Sequence, residues 1–452
     1  MATKPQIRTL TGSSVDILNA IRNSASINYK DYVPVATDDA NAIRGIGKVL
    51  MDFPALQNEF LNSLVNRIGL VIVKSKMYQN PWEHFKKGVL EYGEVIEEIF
   101  VDIAKVHQYD PEVAETELFK RELPNVRTAF HPMNYQKFYK VTVQRQELRK
   151  AFLSLDGVTD LVTKIIESMY SASEYDEFQV MKYLLARHLL NGRIKPITIP
   201  VADKTNVKDI VTQIKGISNG FEFMNNEYNI AGVRNFTKKQ DQFIILNNRF
   251  DAIMDIEVLA TAFNMDKADF MGHRVLVDSF GALDDERLNQ LFEVDPTYEP
   301  ITEEEKKALD EVPAIICDKD WFMIYDHLIE VTEEQNQQGL YWNYWLHLWK
   351  TFSVSPFANA VSFIPGESTV TGITVSPTTA TIGVGQTVAI STDVSTTNFA
   401  PQTVTYESSD PEVAIVSASG IVTALKEGTA DITVKSTFDE DVTTMAEITV
   451  TA

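Results

Sequence analysis

The sequence predicts an α+β body followed by a separate all-β sandwich, and three observations predict it. Through most of the chain, segments with apolar residues at helical spacing are interleaved with short β-branched runs. One long stretch near 80–144 breaks into period-two segments separated by Pro- and charge-rich connections, with little apolar surface to bury. After "SFIPGESTV" the charged helix formers give way to Thr, Val, Ser and Gly, and strands with intervening turns recur about every ten residues.

Ser14 to Asn23 follows "TGSS", an N-cap signal, and carries Val15, Leu18 and Ile21 or Ala20 at helical spacing. From Pro54, "ALQNEFLNSLVNRIG" repeats the pattern with Leu56, Phe60, Leu61 and Leu64 on one face. "GLVIVKSKMY", Gly69 to Tyr78, turns β-branched and reads as a strand. The stretch 80–144 reads as a long two-stranded arm. An isolated hairpin is marginal in water, so such an arm is expected to lean on another chain; the alternative is a surface excursion packed on its own domain.

Asp156 to Gly192 carries the longest helical pattern, through Leu161, Ile165, Ile166, Met169, Tyr170, Val180, Leu184 and Leu185, with Gly192 as its C-terminal stop. A mixed region follows to about Val361, with helical "TNVKDIVTQIKG" and "DIEVLATAFNM" and strand-like "DQFIILNN" and "HRVLVDSF". Within it, "LDDERLNQLFEVDPTYEPITEEEKKALDE" is an acidic, turn-rich insert expected to face solvent. The linker to the sandwich is placed at Pro365 to Val370.

A chain of 452 residues exceeds what one core usually serves. Its 63 acidic against 41 basic residues leave a net charge of −22, which opposes wrapping a polyanion, because phosphate binding draws on clustered Lys and Arg. The single Cys317 lies in the apolar run "AIICDKDWFMIYD"; it cannot pair internally and reads as a small buried strand residue. The N-terminal stretch shows no signal-peptide pattern, and no apolar run approaches a membrane span, so the chain is expected in the cytoplasm when made, with no membrane partner.

Motif scans return matches that fail on context. "GISNG", Gly216 to Gly220, fits the nucleophile elbow with Ser218 as nucleophile, but a helix rather than a strand precedes it; Gly216 reads instead as a helix C-cap. "RGIGKVL" approaches a P-loop, yet Ala42 stands in place of its first Gly and Val49 in place of the Ser or Thr that holds Mg²⁺. The seven His are scattered and no calcium loop is present, so no metal, cofactor or catalytic residue is assigned.

"YWNYWLHLWKTFSVSPFANAVSF", Tyr341 to Phe363, gathers three of the five Trp and must bury against something. Asn343, His347 and Lys350 interrupt it, which argues against a membrane, and His347 reads as a satisfied interface residue rather than a base. Trp82, Phe85, Trp342, Trp345, Trp349 and Phe352 are the candidates for core packing or contact between subunits.

Two stretches resemble known families. In 371–437, "VSPTTATIGVGQT", "YESSDPEVAIVS" and "SGIVTALKEGTADIT" resemble the bacterial Ig-like group 2 domain, with Gly385 at the first hairpin, Gly420 at the next turn, Gly428 before "TADITV", and Tyr406 where many members carry Trp. From about Val15, "DILNAIRNS", "LVNRIGLVIV", "ELPNVRTAFH", "LATAFNMDKADFMG", "DKDWFMIYD" and "GLYWNYWLHLWKTFSVSPFANAVSF" together resemble the major capsid proteins of phi29-like short-tailed phages.

That resemblance implies a Hong Kong 97-type capsid fold. A capsid domain over 1–366 would hold the extended arm (80–144), a spine helix (157–192) and a mainly axial region (193–345), with the Ig-like domain over 367–452. It implies a non-enzymatic shell subunit of the virion, assembled in the host cytoplasm as hexamers and pentamers. A scaffolding protein and a portal at one vertex would be its partners, and it would enclose DNA without binding it specifically. The Ig-like domain is expected outside, for weak host-surface contacts or for bridging capsomers. The rival reading is a bacterial surface adhesin or virion decoration protein acting through the Ig-like domain; an adhesin needs an export signal.

Overall fold

A computed structural model describes residues 14–71, 78–90, 95–107, 121–153, 157–255 and 273–451. In chain order, the first half carries α1 (Ser14–Ser24), α2 (Ile27–Tyr32), α3 (Ala40–Asp52), α4 (Pro54–Val71), β1 (Lys86–Val89), β2 (Val95–Val101), β3 (Val126–Pro132), β4 (Tyr135–Gln144), α5 (Arg145–Ala151), α6 (Gly157–Leu190), β5 (Lys195–Ile199) and α7 (Val207–Gly220). Then come β6 (Gln242–Asn247), α8 (Asn248–Met254), β7 (His273–Val277), α9 (Asp285–Leu291), α10 (Glu303–Asp310), β8 (Ala314–Asp318), β9 (Phe322–Asn336), β10 (Tyr341–Val354) and β11 (Ala360–Pro365). The remainder, β12 (Thr369–Ser376) to β20 (Thr443–Thr451), is all strand. The chain forms two compact units, one of Met1–Glu94, Pro132–Val180 and Ile324–Phe352, the other of Val95–His131, Met181–Met323 and Ser353–Ala452.

In the first unit, α1 to α4 close one apolar core with the sheet β1-β9-β10-β4. Leu18 and Ile21 on α1, Ile43, Ile46 and Leu50 on α3, and Phe60 and Leu61 on α4 recur at helical spacing, so these three helices each turn an apolar stripe into it, while α2 adds Tyr29. Ser26 and Asp39 cap α2 and α3 by accepting from Tyr29 and Asn41 backbone N–H groups. The strand expected over Gly69 to Tyr78 is corrected at its start, because α4 continues through Gly69–Val71, while 72–77 lie outside the described residues. A short apolar β-branched run has no period of its own, and a helix already nucleated upstream extends into it. "RGIGKVL" lies wholly inside α3, with its N–H groups spent on helical bonds, so it is no phosphate loop.

In the second unit, the sheet β5-β11-β8-β6-β7 packs against α7 and α8 through Val207, Ile210, Ile214, Phe250, Ile316 and Phe363. β8 sits between β11 and β6, with all five residues buried, Cys317 among them. α7 runs through Gly216 to Gly220, so Gly216 is a mid-helix residue and not the C-cap. Beyond Asp255, "DIEVLATAFNM" lies outside the described residues. The acidic insert is not a solvated loop: it forms α9 and α10, the latter with a Thr302–Glu305 capping box, and buries Leu288, Leu291, Ile301 and Leu309. Arg187 on α6 ties it down by donating to the Glu299 carbonyl and, at 3.2 Å, to the Pro300 carbonyl. Four leucine and isoleucine side chains among many acids outweigh composition, since burial follows the apolar stripe and not the average.

α6 ends at Leu190, and Gly192 takes φ +59 beyond it while Arg193 N–H returns to the His188 carbonyl at 2.8 Å. The stretch 80–144 is divided rather than one arm. Among its described residues, β1 pairs in parallel with β9 and β4 antiparallel with β10, while β2 and β3 form a two-stranded ribbon.

The C-terminal strands form a sandwich from the sheets β13-β20-β19-β16 and β14-β18-β17 with the pair β12-β15, around Ile390, Val422, Ile432, Val434 and Ile448. Gly385 does not turn a hairpin: β13 (Thr379–Gly383) pairs with β20 and β14 (Thr387–Ala389) with β18, so the chain changes sheets there. Gly420, at φ +78, does hold a tight turn, where a Cβ would meet the Ile390 carbonyl at 2.7 Å.

Candidate functional site

Strand β10 carries the aromatic run, and its alternation sorts the run into two faces. Trp342, Tyr344, Leu346 and Leu348 enter the helical core, where Trp342 Nε1 donates to Asn58 Oδ1 at 3.2 Å. Trp345, His347 and Trp349 take the opposite face with Phe138 and Lys140 of β4. There Lys140 Nζ stands 5.6 Å from the Trp345 ring centre, His347 bonds the Thr332 hydroxyl, and Trp349 and Phe138 are 40% and 59% exposed. Phe352, at the strand end, is buried edge-on against Tyr135 at 5.3 Å.

Trp82 and Phe85 are both buried, Trp82 meeting Phe85 and Phe178 edge to face at 6.0 and 5.4 Å. Beside them lies a group of charges that pattern reading missed. Lys86 Nζ lies 3.1 Å from Glu177 Oε2 and 2.9 Å from Asp326 Oδ2, and Lys350 Nζ contacts the same Glu177 oxygen and, at 3.0 Å, Asp326 Oδ1. Asn80 Nδ2 completes the group by donating to Glu177 Oε1 at 2.8 Å. Burial alone would raise the Asp326 carboxyl, but Lys350 and Lys86 hold it below its ordinary value. Burial would likewise lower Lys86, and Glu177 and Asp326 reverse it, keeping the ammonium charged well above the ordinary lysine range. Glu174 is raised by burial and by its neighbour Glu177. The signal available in the sequence was Lys350 inside an otherwise aromatic strand and Glu177 on the apolar stretch of the long helix.

The ribbon β2–β3 has a different character. Val95, Ile99, Val101 and Phe130 stand about half exposed or more, with Ile99 at 57% and Phe130 at 62%. At its root His131 reaches Glu98 at 3.2 Å and Ser353 at 2.7 Å, and Glu98 accepts from the Ser355 hydroxyl at 2.7 Å.

Ser218 is no exposed nucleophile. It is fully buried, donates to Gln242 Oε1 at 2.6 Å and lies 2.6 Å from Lys239 Nζ, all inside the packing of α7 on β6. Among the described residues no group of three or more His, Cys, Asp or Glu side chains is placed to hold a metal ion. No described helix is long and apolar enough to cross a membrane.

The family model for Phi29-like phage major capsid protein matches residues 18–364, and that for the bacterial Ig-like domain (group 2) matches 369–450. The chain is 35% identical over 433 residues to the major capsid protein of Bacillus phage B103, covering 94% of this chain and 90% of that one. It is 37% identical over 377 residues to that of Bacillus phage PZA, covering 82% and 78%. Among solved structures, the capsid structure of Staphylococcus phage Andhra superposes with a TM-score of 0.51 at 14% identity, over 65% of this chain and 86% of that one, a likeness of fold.

Proposed function

We propose that this chain, a member of the Phi29-like phage major capsid protein family, builds the shell of a phage head from many copies of itself. The observation that carries the reading is the family match over 18–364, joined to a relative of that name aligned over nearly the whole chain. The capsid domain spans 1–366 in a Hong Kong 97-type fold, with α6 as its spine helix, 193–345 mainly axial, and an Ig-like domain over 367–452. Its role is structural and not catalytic. Hexamers and pentamers assemble on a scaffolding protein in the host cytoplasm, and a portal occupies one vertex.

Physical chemistry supports contact through two surfaces. The β2–β3 ribbon exposes apolar side chains that a lone ribbon cannot bury, and Trp345 and Trp349 with Phe138 face outward from the β4–β10 sheet. Trp82, Phe85, Trp342 and Phe352 serve the subunit's own core. The net charge of −22 suits a wall that encloses DNA without gripping it. The Ig-like domain sits on the outer surface, for weak host-surface contacts or for bridging capsomers.

Co-expression with a scaffolding partner followed by electron microscopy tests the reading, and closed shells are expected. Protein that stays monomeric under assembly conditions would overturn it.

A further inference from the structure

We propose that Phe223 and Met224 of one copy seat in the cleft between Val201, Phe250 and Ile253 of the next, a head-to-tail contact that joins copies into rings. This contact presupposes the shell reading above, in which many copies meet. The knob follows α7 directly. Phe221 turns inward, fully buried with its ring 4.9 Å from that of Tyr228, while Phe223 and Met224 stand 71% and 50% exposed. Their loop is braced: Asn225 and Asn235 exchange backbone hydrogen bonds at 3.2 and 2.9 Å, and Thr237 N–H donates to the Phe221 carbonyl at 2.6 Å. Two apolar side chains held in water on such a loop gain by burial and give up little freedom in gaining it.

The cleft lies at the other end of α7. Its volume is about 390 Å³, and it is walled by Val201 and Ala202 ahead of that helix, Phe250 and Ile253 of α8, and Val312 and Pro313 ahead of β8. Val201, on its lip, is 67% exposed. α7 is 14 residues long, about 21 Å at ~1.5 Å per residue, and it separates knob from cleft. β6 gives the same order: Gln242 at its start accepts from Ser218 near the end of α7, while Asn247 at its end lines the cleft. A chain therefore cannot fill its own cleft with its own knob. Two different surfaces that meet between copies make a heterologous contact, which runs head to tail and forms a ring where the rotation closes.

Charge matches the two surfaces as well. Glu222 and Glu227 flank the apolar pair; Glu227 lies 3.5 Å from Lys195, and Glu222 forms no salt bridge among the described residues. Arg249 and Lys307 line the cleft and likewise form none among those residues. Asp310 and Glu311 share that wall, but Asp310 is taken up by the Ser279 hydroxyl and the nearby Lys182 ammonium, which leaves two cations set against Glu311 alone. An apolar tip with acidic flanks thus suits an apolar cleft with a basic rim, and the opposite charges fix which way round the copies meet.

Cross-linking of the full chain tests the contact. Val201→Cys combined with Met224→Cys puts one thiol at the cleft and one at the knob, and native Cys317 is fully buried, out of reach of the reagent. A short bis-maleimide added to concentrated subunits and to assembled particles should give a ladder of whole multiples of the chain on a denaturing gel. Either cysteine alone should leave monomer. Adding Arg249→Glu to the pair should weaken the ladder, and Glu222→Arg on top of it should restore the ladder by returning opposite charges. No ladder in either sample gives the cleft to another occupant and overturns the proposal. So does a dimer from Met224→Cys alone, which sets knob against knob, and so does a ladder that Arg249→Glu leaves unchanged. Particles that assemble yet give no ladder sink this contact while the shell reading stands. A wild type that never assembles sinks the shell reading, and the concentrated subunits still decide the contact.

Discussion

Burial decides the charge of His188. Its ring lies edge-on to Trp321 at 5.7 Å and its Nδ1 meets the Leu184 carbonyl at 2.8 Å. Burial, with help from nearby Arg193 and against the Leu184 bond, pushes its pKa from 6.5 down to about 4. Between those values the unfolded chain holds a proton that the folded chain does not. This contribution to stability is therefore complete above the unfolded value and falls as pH drops through the window, by up to about 3 kcal/mol. Thermal unfolding at several pH values should show wild type losing stability toward acid more steeply than His188→Gln; equal slopes would contradict it. The buried charges around Glu177 follow the same physics from the other side, because each ion there survives burial only through an opposite partner.

Elements show where period and environment part company. The alternation of β10 was readable in the order of its residues, but which parity faces the core depends on pairing with β4 and on the helices beneath. The β2–β3 ribbon was legible as extended and poor in core, and its exposed Ile99 and Phe130 lead to a prediction. Ile99→Asp with Phe130→Asp should change subunit stability by no more than about 0.5 kcal/mol per site, since neither side chain is buried. The same pair should sharply reduce shell yield, because apolar contact between copies is replaced by charge. Calorimetry of the subunit and sedimentation of assembly reactions check the two halves. Unchanged shell yield would remove the ribbon from the assembly surface.

At the scale of the whole molecule, the sandwich and the five-stranded sheet hold separate cores, one around Ile432 and Val434 and the other around Ile244 and Ile316. Their junction is short: Gly366 N–H donates to the Ile199 carbonyl at 3.1 Å, the Ser368 hydroxyl donates to the Asn398 carbonyl at 2.6 Å, and Gly192 leaves room for the Ala400 backbone. A chain ended after Gly366 should therefore keep its cooperative unfolding transition, because the sandwich takes its own core with it. Circular dichroism and thermal melting of that truncation check this; an aggregated, unfolded product would show that the two parts fold as one. Shells built from it are expected to be less stable if the sandwiches bridge capsomers.

By itself the sequence determined the family, the Ig-like sandwich, the long helix from about 157 and the buried strand around Cys317, because each rests on local periodicity or on motifs in a recognisable order. It could not decide whether Gly69–Val71 would be strand or helix, since a few β-branched residues satisfy both until a neighbouring helix claims them. Nor could it show that an acidic insert would bury four apolar side chains, or that 80–144 would be shared between a ribbon and two edges of another sheet. The meeting of Asn80, Lys86, Glu177, Asp326 and Lys350 belongs to tertiary structure alone. Charges that stand far apart along the chain carry no mutual signal in composition or spacing, and only closing the β1-β9-β10-β4 sheet beside the α6 helix makes each the partner that permits the others to be buried.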